Sequence, residues 1–217
     1  GASAKGVTVE DFKVTGVNLR HQQENHTVHA PIVVSNMGPA ATAKLVPTKF
    51  LDEGFTHQLK KITPTAIMWL HFSSPELLME YSALAVGCSR RVNMIDVPSF
   101  EADGVAPPGQ HLYTVGGAPL NSLEPDDIKA EFAALMEDLR DIYPDFDKRT
   151  QVLTKTCYRG EWPGFRTISG SRPGHRTTIR NLYNVGDGAG PPGFEGSMGA
   201  AKSALMVAED VQRFSPM

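Results

Sequence analysis

Asn181-Leu-Tyr-Asn-Val-Gly-Asp-Gly-Ala-Gly-Pro-Pro-Gly-Phe-Glu-Gly-Ser-Met-Gly-Ala-Ala-Lys-Ser-Ala-Leu-Met-Val-Ala-Glu-Asp-Val211 is the stretch that says most about the fold. Leu182–Val185 reads as a short strand that ends in Gly186-Asp187-Gly188. A glycine- and proline-rich loop follows, and then a helix from about Gly196 or Ser197 to Val211. Gly199, Ala200, Ala201, Ser203 and Ala204 crowd the first turns of that helix, and small residues there let a backbone or a flat ligand come close. The helix start offers unpaired N–H groups and the positive end of a dipole, which attract an anion or a partly negative carbonyl. Asp187, at the strand end, is placed to accept a hydrogen bond from a hydroxyl. On pattern alone the run is either a cofactor-binding loop or a tight structural turn.

Upstream, the chain from residue 146 is loop-rich, through Trp162-Pro-Gly164, Gly170 and Arg172-Pro-Gly174. Before it lies the clearest helix, Pro125 to Tyr143, with Pro125 in its first turn, acidic residues next, and Pro144 ending it. Ile128, Phe132, Leu135, Leu139 and Ile142 share one face, which an antiparallel sheet would cover. Strands are expected at Thr65–Phe72, Ala83–Val86, Arg91–Val97 and His111–Gly116; Leu77–Leu84 is open between strand and helix. At the other end, residues 6–36 alternate as an antiparallel meander: Val7 and Val9, then Val14, Val17 and Leu19, then Val28 to Val34. Ile32-Val33-Val34 is continuous, which suits a strand buried on both faces.

Composition limits the function. The 217 residues are 41% hydrophobic and carry a formal charge of -3, so a soluble protein is expected and nucleic acid has no basic surface to bind. Cys88 and Cys157 are too few for a disulfide framework and have no metal-ligand spacing, which makes a reducing, cytoplasmic setting the expectation. The longest apolar runs, such as Thr65–Leu70, are too short to span a bilayer, and nothing supports association with a membrane surface. Gly1-Ala-Ser3 reads as a remnant of cloning.

Leu182–Gly188, Pro191–Gly196 and Gly199–Ala204 together resemble the C-terminal flavin motif of the phytoene desaturase and amine oxidase-like oxidoreductases. The resemblance implies FAD as cofactor. It places Gly186, Asp187 and Gly188 by the cofactor's chain, and Gly193, Phe194, Glu195, Gly196 and Ser197 by the pyrimidine edge of its ring. Val14-Thr-Gly-Val17 followed by Val28–Asn36 is similar to the family's meander and returning strand, although Pro31 stands where relatives often have an acid. The family opens with a βαβ unit whose Gly-x-Gly-x-x-Gly holds the pyrophosphate; that pattern does not occur before Val7, and Gly186-Asp-Gly-Ala-Gly190 lacks its spacing.

The fold class implied is α+β: an antiparallel or mixed substrate-domain sheet with packed helices, plus the strand-loop-helix of an FAD-binding domain whose N-terminal Rossmann unit is absent. Residues 1–44 and 151–217 would be the FAD-domain part and residues 45–150 the substrate domain. Two functions fit. One is a fragment of an FAD-dependent oxidoreductase that moves a hydride between flavin and an apolar or amine-bearing substrate. It would need an N-terminal FAD-binding partner domain and bind FAD weakly or not at all alone. The other is a non-catalytic binding domain that keeps the scaffold. No acid or base stands out. His71 reads as a satisfied sheet histidine, and Met68, Trp69, Met79 and Met94 as core. Tyr158, Arg159 and Trp162 lie where the family places substrate-side loops, and Arg166, Arg172, His175, Arg176 and Arg180 read as a solvated basic loop.

Overall fold

The computed structural model describes residues 1–159 and 170–214. In chain order the elements are β1 (Ala2–Glu10), β2 (Lys13–His21), β3 (Glu24–His29), β4 (Val33–Ser35), α1 (Pro39–Lys44) and α2 (Glu53–Lys60). There follow β5 (Ala66–Ser74), β6 (Ala83–Ala85), β7 (Val92–Asp96), α3 (Pro98–Glu101), β8 (His111–Gly117), α4 (Ile128–Ile142) and α5 (Phe146–Arg149). The last are β9 (Gln151–Arg159), β10 (Leu182–Asn184) and α6 (Gly196–Phe214). The fold is α+β, as expected from the sequence.

Two compact units emerge, Gly1–Pro64 with Gly160–Met217, and Thr65–Arg159. The divisions fall at 64/65 and 159/160, not at 44/45 and 150/151. Val46 packs into the first unit's core with Val7, and β9 is hydrogen-bonded to β5 in the second.

In the first unit, β1, β2 and β3 form the antiparallel meander. Its turns are two residues long, Asp11-Phe12 and Gln22-Gln23, and all four residues have positive φ, the twist that suits tight hairpins. Val7 and Val14 pack against Val46, Ile179 and Leu182. The third apolar run does not continue to Val34 as one strand. Pro31 has no N–H to give a ladder, so β3 stops at His29 and β4 turns to a different partner, the parallel strand β10. Val34 is 49% exposed, so β4 is not buried on both faces; among the described residues it has a strand neighbour on one side only.

The second unit is a five-stranded sheet in the order β6-β7-β8-β5-β9, antiparallel throughout. Alternation in β5 sends Met68, Leu70 and Phe72 to the face covered by Phe132, Leu135 and Leu139 of α4. Phe72 stacks on Tyr113 with centroids 4.5 Å apart, and Phe146 meets Phe72 edge-on at 5.0 Å. Ile67, Trp69, His71 and Ser73 point the other way and are only partly buried. The helix begins at Ile128, after Pro125, because Asp127 is the better cap: its carboxylate accepts from the N–H groups of Lys129 (2.9 Å) and Ala130 (3.0 Å). Leu77–Leu84 forms no helix. The phenol of Tyr113 instead binds the Leu78 N–H (2.6 Å), and the chain enters β6 at Ala83.

A buried carboxylate joins α4 to the start of β7. Asp138 is 2% exposed and accepts from the backbone N–H groups of Arg90 (2.8 Å), Arg91 (2.6 Å) and Val92 (3.0 Å), and from the Arg90 side chain (3.0 Å). Burial pushes this carboxyl up, but the donors outweigh it and hold it below the usual range. Asp138→Ala leaves those donors unpaired and should cost about 2–4 kcal/mol at pH 7. Because the folded carboxyl titrates lower than the unfolded one, its stabilisation is complete above about pH 4 and fades as the pH falls further. In urea unfolding followed by far-UV circular dichroism, the gap between wild type and Asp138→Ala should therefore narrow below that pH.

Candidate functional site

Parallel pairing of β10 with β4 puts Asn184 opposite Ser35, and the Val185 N–H extends the ladder to the Ser35 carbonyl at 2.8 Å. Both strands then turn away at Asn36 and Gly186. Gly186 has φ 104°, and a Cβ there would lie 2.1 Å from Asn36 Oδ1, so only glycine lets the two chain ends come together. Its N–H donates to Ser203 Oγ at 3.0 Å, and that hydroxyl donates to the Ala200 carbonyl at 2.7 Å, which fixes α6 against the strand end. Two further close approaches need glycine: a Cβ on Gly190 would stand 2.9 Å from the Gly199 Cα, and one on Gly199 would stand 2.8 Å from the Phe194 carbonyl oxygen. The small residues at the start of α6 are thus used to bring the loop onto the helix.

Asp187 opens a short 3-10 turn, Asp187–Ala189, in which Gly188 is buried. Its Oδ1 accepts from the Gly196 N–H at 2.9 Å, so the carboxylate caps α6 from the far end of the loop. Glu195 supplies the carbonyl for the first helical bond, from the Gly199 N–H, while its side chain pairs with Arg172. Among the described residues none accepts from the N–H groups of Ser197 and Met198, in the first turn at the positive end of the helix. Phe194 is 40% exposed, and Gly193 (φ 84°) and Ser197 form an open rim. Gly186, Asp187, Glu195 and Gly196 therefore converge, whereas Gly193, Phe194 and Ser197 surround them.

The basic segment proves to be paired. Arg172 reaches the Phe194 carbonyl (2.9 Å), the Glu195 carboxylate and, at 3.6 Å, Asp187 Oδ1. Arg176 forks onto both oxygens of Asp210 on α6 (2.6 Å each), and His175 Nε2 lies 3.0 Å from the same carboxylate. The guanidinium bonded to Asp210 carries that carboxyl down to about 2 against the effect of burial, with help from His175. Arg180 donates to the Asp11 carbonyl at 2.9 Å. Sequence reading missed these pairs because the acids lie at distant positions, although Asp210 on the buried side of a helix was a signal.

Elsewhere, His71 Nδ1 sits 2.8 Å from Thr154 Oγ1, a satisfied sheet histidine on the face away from α4. Met68 and Met79 join the core, whereas Trp69 and Met94 pair through Gly116 on that other face. Tyr158 stands opposite Ile67, and Arg159 donates to the Leu123 carbonyl at 2.6 Å. Trp162 and Arg166 lie outside the described residues. Cys88 and Cys157 are free, and burial pushes the Cys157 thiol up. Among the described residues no cluster of metal-ligating side chains occurs, and no helix is long and apolar enough to cross a membrane.

Residues 5–212 match the sequence profile of the flavin containing amine oxidoreductases. The chain belongs to that family. An oxidoreductase from Methanosarcina mazei shares the fold with a TM-score of 0.81 and 29% identity over 96% of this chain. The PF1083 protein from Pyrococcus furiosus superposes with a TM-score of 0.74 and 21% identity over 97% of this chain. The uncharacterized protein MJ1488 of Methanocaldococcus jannaschii is 23% identical over 208 residues, 93% of this chain. The chain spans about half the length of each: 49%, 46% and 48% respectively. The family consists of flavin-dependent oxidoreductases.

Gly186→Ala should lower stability by about 1–3 kcal/mol, the cost of placing a side chain at this φ and ψ. Pairing it with Asn36→Ala should recover only the part due to the clash, as read from urea midpoints of the single and double variants.

Proposed function

We propose that this chain is the flavin-ring half of an FAD-dependent oxidoreductase, and that the remaining contacts to FAD come from an N-terminal dinucleotide-binding unit. The observation that carries this reading is the loop from Gly186 to Ser197, tied by Asp187 and Arg172 and ending in two N–H groups that have no acceptor among the described residues. When bound, the flavin supplies hydride transfer. The residues of this chain would hold and orient it: Asp187 has a second oxygen with no partner among the described residues, open to a hydroxyl of the cofactor's chain, and the Ser197 and Met198 N–H groups would meet the partly negative edge of the ring.

The substrate would be an apolar or amine-bearing molecule. The sheet face turned away from α4 supports this, with Ile67, Trp69 and Met94 beside Tyr158 and His71 on a partly buried surface. A long apolar substrate, as in the phytoene desaturase-like members, fits the aromatic and aliphatic content of that face. A cytoplasmic setting is supported by the two free cysteines.

Because the ADP half of the cofactor would find little to bind here, riboflavin and FAD should bind this chain with similar, weak affinity, and ADP should not compete. Fluorescence titration of each flavin, with ADP as competitor, checks this. Competition by ADP as strong as that by riboflavin, or no binding of either flavin, would contradict the reading.

A further inference from the structure

We propose that Arg172 is the positioning residue of the flavin loop, and that Glu195 is its counter-ion rather than a contact to the flavin. This rests on the reading of Gly186–Ser197 as a flavin-binding loop. The Arg172 side chain is only 10% exposed and touches both ends of that loop at once. At the start it lies 3.6 Å from Asp187 Oδ1; at the end it donates to the Phe194 carbonyl at 2.9 Å and to the Glu195 carboxylate.

Three consequences follow from charge and geometry. Asp187 and Glu195 are brought together by the loop, and without a cation between them two carboxylates would repel and spread its ends. The same Asp187 oxygen accepts the Gly196 N–H, so the guanidinium acts through Asp187 on the first amide of α6. Glu195, already engaged by Arg172, has its charge neutralised, which leaves the helix dipole as the field at the rim. A planar fork suits this three-acceptor arrangement better than an ammonium group.

Arg172 is itself held in place. Three and four residues further on, His175 and Arg176 bind Asp210 near the other end of α6. The segment from Arg172 to Arg176 therefore straps α6 at both ends, and the loop is set before any ligand arrives. Preorganisation of this kind spares a ligand the cost of ordering the loop.

The test uses the whole chain with Arg172→Gln and Arg172→Lys, followed by amide hydrogen exchange and riboflavin titration. Arg172→Gln should speed exchange of the Gly196 amide by about tenfold and weaken riboflavin by about tenfold, the loss of one charge-assisted hydrogen bond. The Val7 and Val14 amides, in the core of the same unit, should exchange as in wild type, which separates loosening of the loop from loss of the fold. Arg172→Lys should recover part of both effects. Unchanged Gly196 exchange in Arg172→Gln would overturn the proposal, and so would a loosened loop that binds riboflavin as tightly as before. If wild type binds no riboflavin, the flavin reading fails, while the exchange result still decides whether Arg172 sets the loop.

Discussion

Parallel pairing of Val33–Ser35 with Leu182–Asn184 is the contact on which the site depends. It joins strands 149 positions apart in sequence (Val33 to Leu182), so the entropy of closing that loop must be met by the packing it creates. Leu182 and Ile179 supply that packing against Val7, Val14 and Val46. The pairing also sets where both strands end, and hence why Gly186 must pass Asn36 with no side chain. Everything downstream takes its position from this point: the 3-10 turn at Asp187, the return of the loop onto Gly199, and the start of α6.

The second unit solves a separate problem. Its sheet is antiparallel, so one face can be filled by α4 while the other stays available. Asp138 shows how firmly the covered face is held, because one buried carboxylate satisfies three consecutive backbone donors at the start of β7. Arg91, at that same start, pairs with Glu131, two turns earlier on the same face of α4. A sheet anchored so tightly on one side is a rigid platform for whatever the other side meets.

Much of this was legible in the sequence. Alternation in Thr65–Phe72 and the 3.6-residue period from Ile128 to Ile142 located β5 and α4, because burial on one face imposes those periods directly. The strand, loop and helix after Asn181 were legible because glycine and proline mark where the backbone must turn. What the sequence concealed was of two kinds. Local competition decided boundaries: Asp127 outcompeted Pro125 as the helix start, and Pro31 split an apolar run that looked continuous. Long-range pairing decided roles. Arg172, His175 and Arg176 looked like a solvated basic loop, since no local pattern reveals that Glu195 and Asp210 come to meet them.

The strap from Arg172 to Arg176, the cap from Asp187 and the glycine contacts together make the loop a rigid frame around an open helix start. That frame is the reason to place the flavin ring there. The most direct measurement is an amide-resolved NMR titration of the chain with FAD. The account predicts weak, saturable shifts, with Kd on the order of 0.1–1 mM, that centre on residues 186–199 and leave the second unit's core unmoved. Saturable shifts centred elsewhere, with residues 186–199 unaffected, would contradict it.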